Sequence, residues 1–146
     1  VNCTAGNFPF PQNKDNPFGI KAGNTSSAEI ISAYNKWYND CVTTSGANGF
    51  IRVKRTNDSG LELNSTVSEG IAYGMIIAVY MNDQPLFDGL WKYARYWQNG
   101  NGLMNWYINA AGTGLGSNPS GAGAATISGA TRSRIRRKSV SQASPV

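Results

Sequence analysis

An uncharged, almost wholly apolar stretch occupies residues 71–81, and its length favours a helix over a strand. A helix without charge should be buried on most of its circumference. Just ahead of it, Thr66 and Ser68 offer hydroxyls for an N-cap, and Glu69 falls in the first turn. An acid there meets the positive end of the helix dipole. The pattern therefore predicts a helix over 66–81 with one carboxylate at its mouth. Gly70 and Gly74 lie four apart inside it, and each costs about 1 kcal/mol relative to alanine. Such a pair implies that another helix or a ligand approaches the backbone on that face.

Two further helices flank this one. Ser26-Ser27-Ala28-Glu29 is a capping box. Behind it Ile30, Tyr34, Trp37, Tyr38 and Cys41 recur at helical spacing, with Ile31 and Val42 beside them, and the helix should end near 43–46. Its aromatic stripe reads as core rather than as a binding surface. The third helix follows a tight connection at 82–85, with Pro85 suited to a first turn. It runs over 86–98 and presents Leu86, Leu90, Tyr93 or Ala94, and Trp97 on one side. A short loop makes the second and third helices antiparallel neighbours.

The segments between and around them are irregular. Residues 48–55 alternate apolar and basic and predict a short strand or extended loop, and 56–64 are polar and turn-like. Residues 99–108 form a Gly-rich turn into a short extended segment. The lead-in, 1–24, carries Pro9, Pro11 and Pro17, which forbid a helix, and Phe8, Phe10 and Phe18 should anchor it against the body. Residues 112–130 have no periodic apolar face, and 131–146 are basic, Ser-rich and disordered on composition.

Length and charge refine this picture. A chain of 146 residues is one domain at most, and 40% hydrophobic residues suffice for a real core. The net charge of +5 is unevenly spread: residues 1–131 hold eight charges of each sign, and the excess sits in Arg132, Arg134, Arg136, Arg137 and Lys138. Every aromatic residue lies at or before Tyr107, so the chain reads as two unlike pieces. Absence of histidine excludes His-based triads and argues against a zinc site. Cys3 and Cys41 are compatible with one disulfide or with two thiols. No stretch reaches the apolar length of a membrane span. No charged n-region with an apolar core opens the chain, so a secretory signal has been removed or never existed.

Glu69 alone could be a capping acid. Its surroundings give it more meaning. Thr66-Val67-Ser68-Glu69-Gly70-Ile71-Ala72-Tyr73-Gly74-Met75 resembles a motif of glycoside hydrolase family 8. Phe8-Pro9-Phe10-Pro11, Gly49-Phe50-Ile51-Arg52-Val53, Leu86-Phe87-Asp88-Gly89-Leu90-Trp91-Lys92-Tyr93, Asn101-Gly102-Leu103-Met104-Asn105-Trp106 and Gly121-Ala122-Gly123-Ala124-Ala125-Thr126 continue the resemblance in order, over about 8–126. That family consists mostly of secreted bacterial, inverting, endo-acting glycosidases such as endo-β-1,4-glucanases. The resemblance implies an all-α (α/α)6 barrel, of which this chain holds the N-terminal part, about three helices with irregular loops and a disordered tail. It implies that Glu69 is the general acid, that Trp106 lines the sugar groove, and that Tyr73 stands near the same site or is structural. It further implies a β-glucan or cellulose partner, extracellular location, a monomer when complete, and no need for a metal or organic cofactor. An inverting enzyme needs a protonated acid and a second carboxylate roughly 6.5–9.5 Å away. The acid should be kept protonated by burial or a neighbouring charge, and Ile71 and Val67 suit that role. Pairing of Cys3 with Cys41 would fit export.

The resemblance stops near residue 126, which divides the chain into 1–126, catalytic-domain part, and 127–146, basic tail. Where the family turns acidic and begins another inner helix, this chain has Ile127-Ser128-Gly129-Ala130-Thr131-Arg132-Ser133-Arg134-Ile135-Arg136-Arg137-Lys138. The family's subsite aspartate and catalytic base have no counterpart. A shift of reading frame would explain the break, since one codon choice for 130–135 reads Asp-Glu-Ile-Ala-Tyr in another frame. The expectation is a truncated form, inactive or weakly active. The alternatives are a non-catalytic glucan-binding fragment and a protein with a basic arm for nucleic acid.

Overall fold

The structure, a computed structural model, describes residues 26–57 and 60–116 together with Phe18 and Gly23. The lead-in around Phe8 and Phe10, the Gly/Ala motif at 121–126, the basic tail and Cys3 lie outside the described residues. Phe18 is 90% exposed and anchors nothing, the core being closed by Phe50, Ile51, Phe87 and Trp91 instead.

Helix α1, Ser27–Cys41, begins where the capping box predicts. The Ser26 amide donates to Glu29 Oε2 at 2.7 Å and the Glu29 amide donates to Ser26 Oγ at 3.2 Å. Tyr34 is buried and Ile31, Trp37, Tyr38 and Cys41 pack partly buried against the core, so the aromatic stripe is core, as expected. The helix ends earlier than 43–46. Val42 and Thr43 turn extended as strand β1, Val42–Thr43, which pairs antiparallel with β2, Arg52–Val53. Two consecutive β-branched residues lose rotamer freedom in a helix, and β2 supplies their backbone partners.

The second antiparallel pair joins β3, Thr66–Val67, to β4, Tyr107–Ile108, in the register Thr66 opposite Ile108 and Val67 opposite Tyr107. Helix α2, Ser68–Tyr80, leaves directly from β3. Its N-cap residue is Val67 and no side chain caps it, contrary to the roles expected of Thr66 and Ser68. Both hydroxyls are drawn elsewhere. Thr66 Oγ1 accepts from Arg52 Nη1 at 2.8 Å and donates to the Val53 carbonyl at 2.9 Å, while Ser68 Oγ donates to Glu69 Oε2 at 3.3 Å. The buried Thr66 hydroxyl is thus satisfied inside the core, and that of Ser68 by the neighbouring carboxylate.

Helix α3, Gln84–Tyr96, has Pro85 in its first turn and Asp83 as N-cap, which accepts from the Leu86 amide at 3.0 Å. The second oxygen of Asp83 accepts from the Tyr34 hydroxyl at 2.8 Å, so the turn before α3 is tied to α1. Leu86, Leu90, Tyr93 and Ala94 of α3 share one core with Ile71, Met75, Ala78 and Met81 from α2 and the residue after it. Each fully buried aliphatic side chain contributes roughly 1.5–3 kcal/mol. The core does not enclose α2. Tyr73, Ile76 and Tyr80 are 66%, 41% and 46% exposed and continue a stripe that Glu69 begins. Spacings of four and three put these residues on one face, away from α3.

Candidate active site

Glu69 stands in the first turn of α2 and is exposed. Its Oε2 accepts from the Ser68 hydroxyl, and the helix start offers it favourable backbone dipoles. Ile71 does not shelter it: two residues on is more than half a turn round the helix, and that side chain is fully buried in the core. Val67 is half-buried. The apolar surround expected around this carboxylate is therefore absent among the described residues. Tyr73, one turn further on, shares its exposed face.

Trp106 arrives from the other side. It precedes β4, and its carbonyl accepts from the Ser68 amide at 2.9 Å. The aromatic residue and the acid are thus brought to one end of the β3–β4 pair although 37 positions separate them. The half-buried Trp106 ring lies 5.8 Å from the buried ring of Tyr107, whose hydroxyl accepts from the Glu62 amide at 3.0 Å. The exposed carboxylate thus follows directly on the residue whose amide bonds to Trp106.

Other carboxylates are engaged in holding the fold. Glu29 accepts from the Ser26 amide in the capping box of α1, Asp83 caps α3, Asp40 pairs with Lys36, Asp88 accepts from Gln84 and Glu62 Oε2 accepts from the Ala110 amide. Among the described residues no group of three or more histidine, cysteine, aspartate or glutamate side chains could hold a metal ion. Cys41 carries a free, half-buried thiol whose pKa is raised, chiefly by burial.

The residue that sequence reasoning passed over is Arg52. The alternation at 48–55 does not sort solvent from core, because Arg52 and Val53 are both buried. Burial lowers the guanidinium's pKa from the ordinary arginine value, and burial likewise raises that of the neighbouring Tyr93 phenol. An arginine flanked by Ile51 and Val53 was the available signal.

These features define a class: a helical chain with an exposed acid at a helix mouth whose backbone is bonded to that of a distant tryptophan. More particularly, the chain belongs to Glycosyl hydrolases family 8, whose sequence profile matches residues 8–128. It is 40% identical over 127 residues to Endoglucanase 2 of Ruminiclostridium josui, covering 84% of this chain and 27% of that one. It is 35% identical over 127 residues to Endoglucanase C of Ruminiclostridium cellulolyticum, again covering 84% of this chain and 27% of that one. The chain thus spans about a quarter of the length of the curated relatives it matches. A solved β-1,3-1,4-glucanase from Paenibacillus sp. X4 superposes with a TM-score of 0.51 at 23% identity, covering 66% of this chain and 27% of that one. The fold is that of the all-α (α/α)6-barrel family, represented among the described residues by three helices and short strand pairs.

Proposed function

We propose that this chain is part of a secreted endoglucanase-type hydrolase that cleaves internal β-1,4 bonds of cellulose or a related β-glucan with inversion. Glu69 is its general acid and Trp106 its stacking surface, with Tyr73 lining the same face. The observation that supports the reading is the bond from the Ser68 amide to the Trp106 carbonyl at 2.9 Å, which joins the backbone next to Glu69 to that of the aromatic residue. Family membership and the endoglucanase activities for which the relatives are named support the substrate class. Inversion needs a second carboxylate across the sugar. The carboxylates described here, apart from Glu69, are tied up in caps and pairs. By itself this chain should be inactive or weakly active, the alternative being a fragment that binds glucan without cleaving it.

The test is calorimetric titration of the chain with cellohexaose, alongside a reducing-end assay on soluble cellulose. Binding that is lost in Trp106→Ala, with no release of reducing ends, is the expected result. Turnover abolished by Glu69→Gln would show that a base is present after all. No binding at all would remove the glucan reading. Secretion is checked separately, by the distribution of the natural protein between cells and medium.

A further inference from the structure

Arg52 is the bulkiest of the fully buried side chains, at 2% exposure. A buried guanidinium is normally balanced by a carboxylate, because an isolated charge is costly away from water. Among the described residues none stands within ion-pair distance of it. Its donors go instead to four neutral acceptors. Nε donates to the Ser45 carbonyl at 2.7 Å, and Nη1 donates to the Asn64 carbonyl at 2.7 Å and to Thr66 Oγ1 at 2.8 Å. Nη2 donates to the Ala110 carbonyl at 2.8 Å.

The places of those acceptors are informative. Asn64 and Thr66 enter β3, a few residues before Glu69, whereas Ala110 lies just beyond β4, a few residues after Trp106. One rigid group therefore grips both chain segments whose pairing brings the acid and the aromatic together. Thr66 Oγ1 passes the grip on to the Val53 carbonyl at 2.9 Å. A strand pair of only two residues on each side holds its register weakly by itself, and a slip of one residue would turn its side chains to the opposite face. A fixed fork of donors suits this task. A lysine ammonium cannot reach acceptors in that many directions.

We propose that Arg52 is a positioning residue of the candidate active site, setting the β3–β4 register that bonds the Ser68 amide, next to Glu69, to the Trp106 carbonyl. The inference rests on the glucan reading of that site for its functional meaning, though not for its geometry. A merely structural arginine would lower stability throughout. A positioning one loosens the Ser68–Trp106 contact first and sugar binding with it.

The experiment compares the full chain with Arg52→Lys and Thr66→Val. Hydrogen–deuterium exchange is followed at the Ser68 amide and, as internal control, at the Leu90 amide in the core of α3, and cellohexaose affinity is measured on the same samples. In Arg52→Lys helix content should persist and Leu90 protection should hold. Ser68 should exchange about tenfold faster and cellohexaose Kd should rise about tenfold, the scale of a lost charge-assisted hydrogen bond. Thr66→Val should move both readouts the same way by a smaller factor. Equal loss of protection at Ser68 and Leu90, or unchanged Ser68 protection and affinity, would overturn the proposal. Should Arg52→Lys fail to fold, Thr66→Val decides by the same two readouts. Should the unaltered chain ignore cellohexaose, the glucan reading fails by itself, and Ser68 exchange relative to Leu90 alone decides the role of Arg52.

Discussion

Gly74 sits where three elements meet, and no side chain fits there. A Cβ at this position would lie 2.8 Å from Val53 Cγ2 and 2.9 Å from Leu90 Cδ1. Gly70, one turn earlier, has only ordinary contacts, the closest 3.7 Å from Val53 Cγ1. The two glycines should therefore respond oppositely to alanine. Gly74→Ala should lower the stability by about 1–3 kcal/mol through overpacking, despite a better helix propensity. Gly70→Ala should be neutral or stabilising by up to about 1 kcal/mol. Urea unfolding of both variants, with midpoints compared at equal slope, checks the contrast, and equal losses would contradict it. The glycine pair was legible in the sequence as a close approach. That only one of them is indispensable, and that the intruders are a strand valine and an α3 leucine, required the packing.

The three helices start by different means. For α1 the sequence named both partners of the capping box, since a cap depends on residues three apart. The Ser26 amide, bonding to the Glu29 carboxylate, holds the Glu29 pKa below the ordinary glutamate range. A lowered folded-state pKa means stabilisation that is complete above the ordinary range and disappears as pH falls through the folded value. The thermal midpoint should thus drop with acidification in this range more steeply for the unaltered chain than for Glu29→Gln, as read by circular dichroism. For α3, Asp83→Ala removes an N-cap worth about 1–2 kcal/mol and also the hydrogen bond from the Tyr34 hydroxyl that ties this turn to α1. It should cost more than Ser26→Ala in chemical denaturation, because only the former cuts a link between two elements. The start of α2 was misjudged from sequence because Arg52, distant along the chain, claims the Thr66 hydroxyl.

At the scale of the whole molecule, α2 has one covered side and one exposed side among the described residues. Tyr73, Ile76 and Tyr80 form an exposed stripe beside Glu69, and contiguous apolar surface of this kind promotes association. Sedimentation of the chain should show concentration-dependent self-association, relieved in Ile76→Lys without loss of helix content. A monodisperse monomer at all concentrations, with a sharp cooperative transition, would contradict this. The exposed Lys36–Asp40 pair, by contrast, should matter little to stability.

The sequence by itself determined whatever depends on neighbours a few residues apart: the three helices, the cap at Ser26, the first-turn Pro85, the short turn between α2 and α3, and the motif that marks Glu69. Local propensity and periodicity suffice for these, because the interacting groups travel together along the chain. Only the tertiary structure decided where the core stops on α2, why Thr66 turns inward, and how Trp106 reaches the acid. Those outcomes hang on contacts between positions tens of residues apart, above all the neutral carbonyls gathered round Arg52. A backbone carbonyl has the same chemistry at every residue, so no pattern of side chains announces which of them will converge.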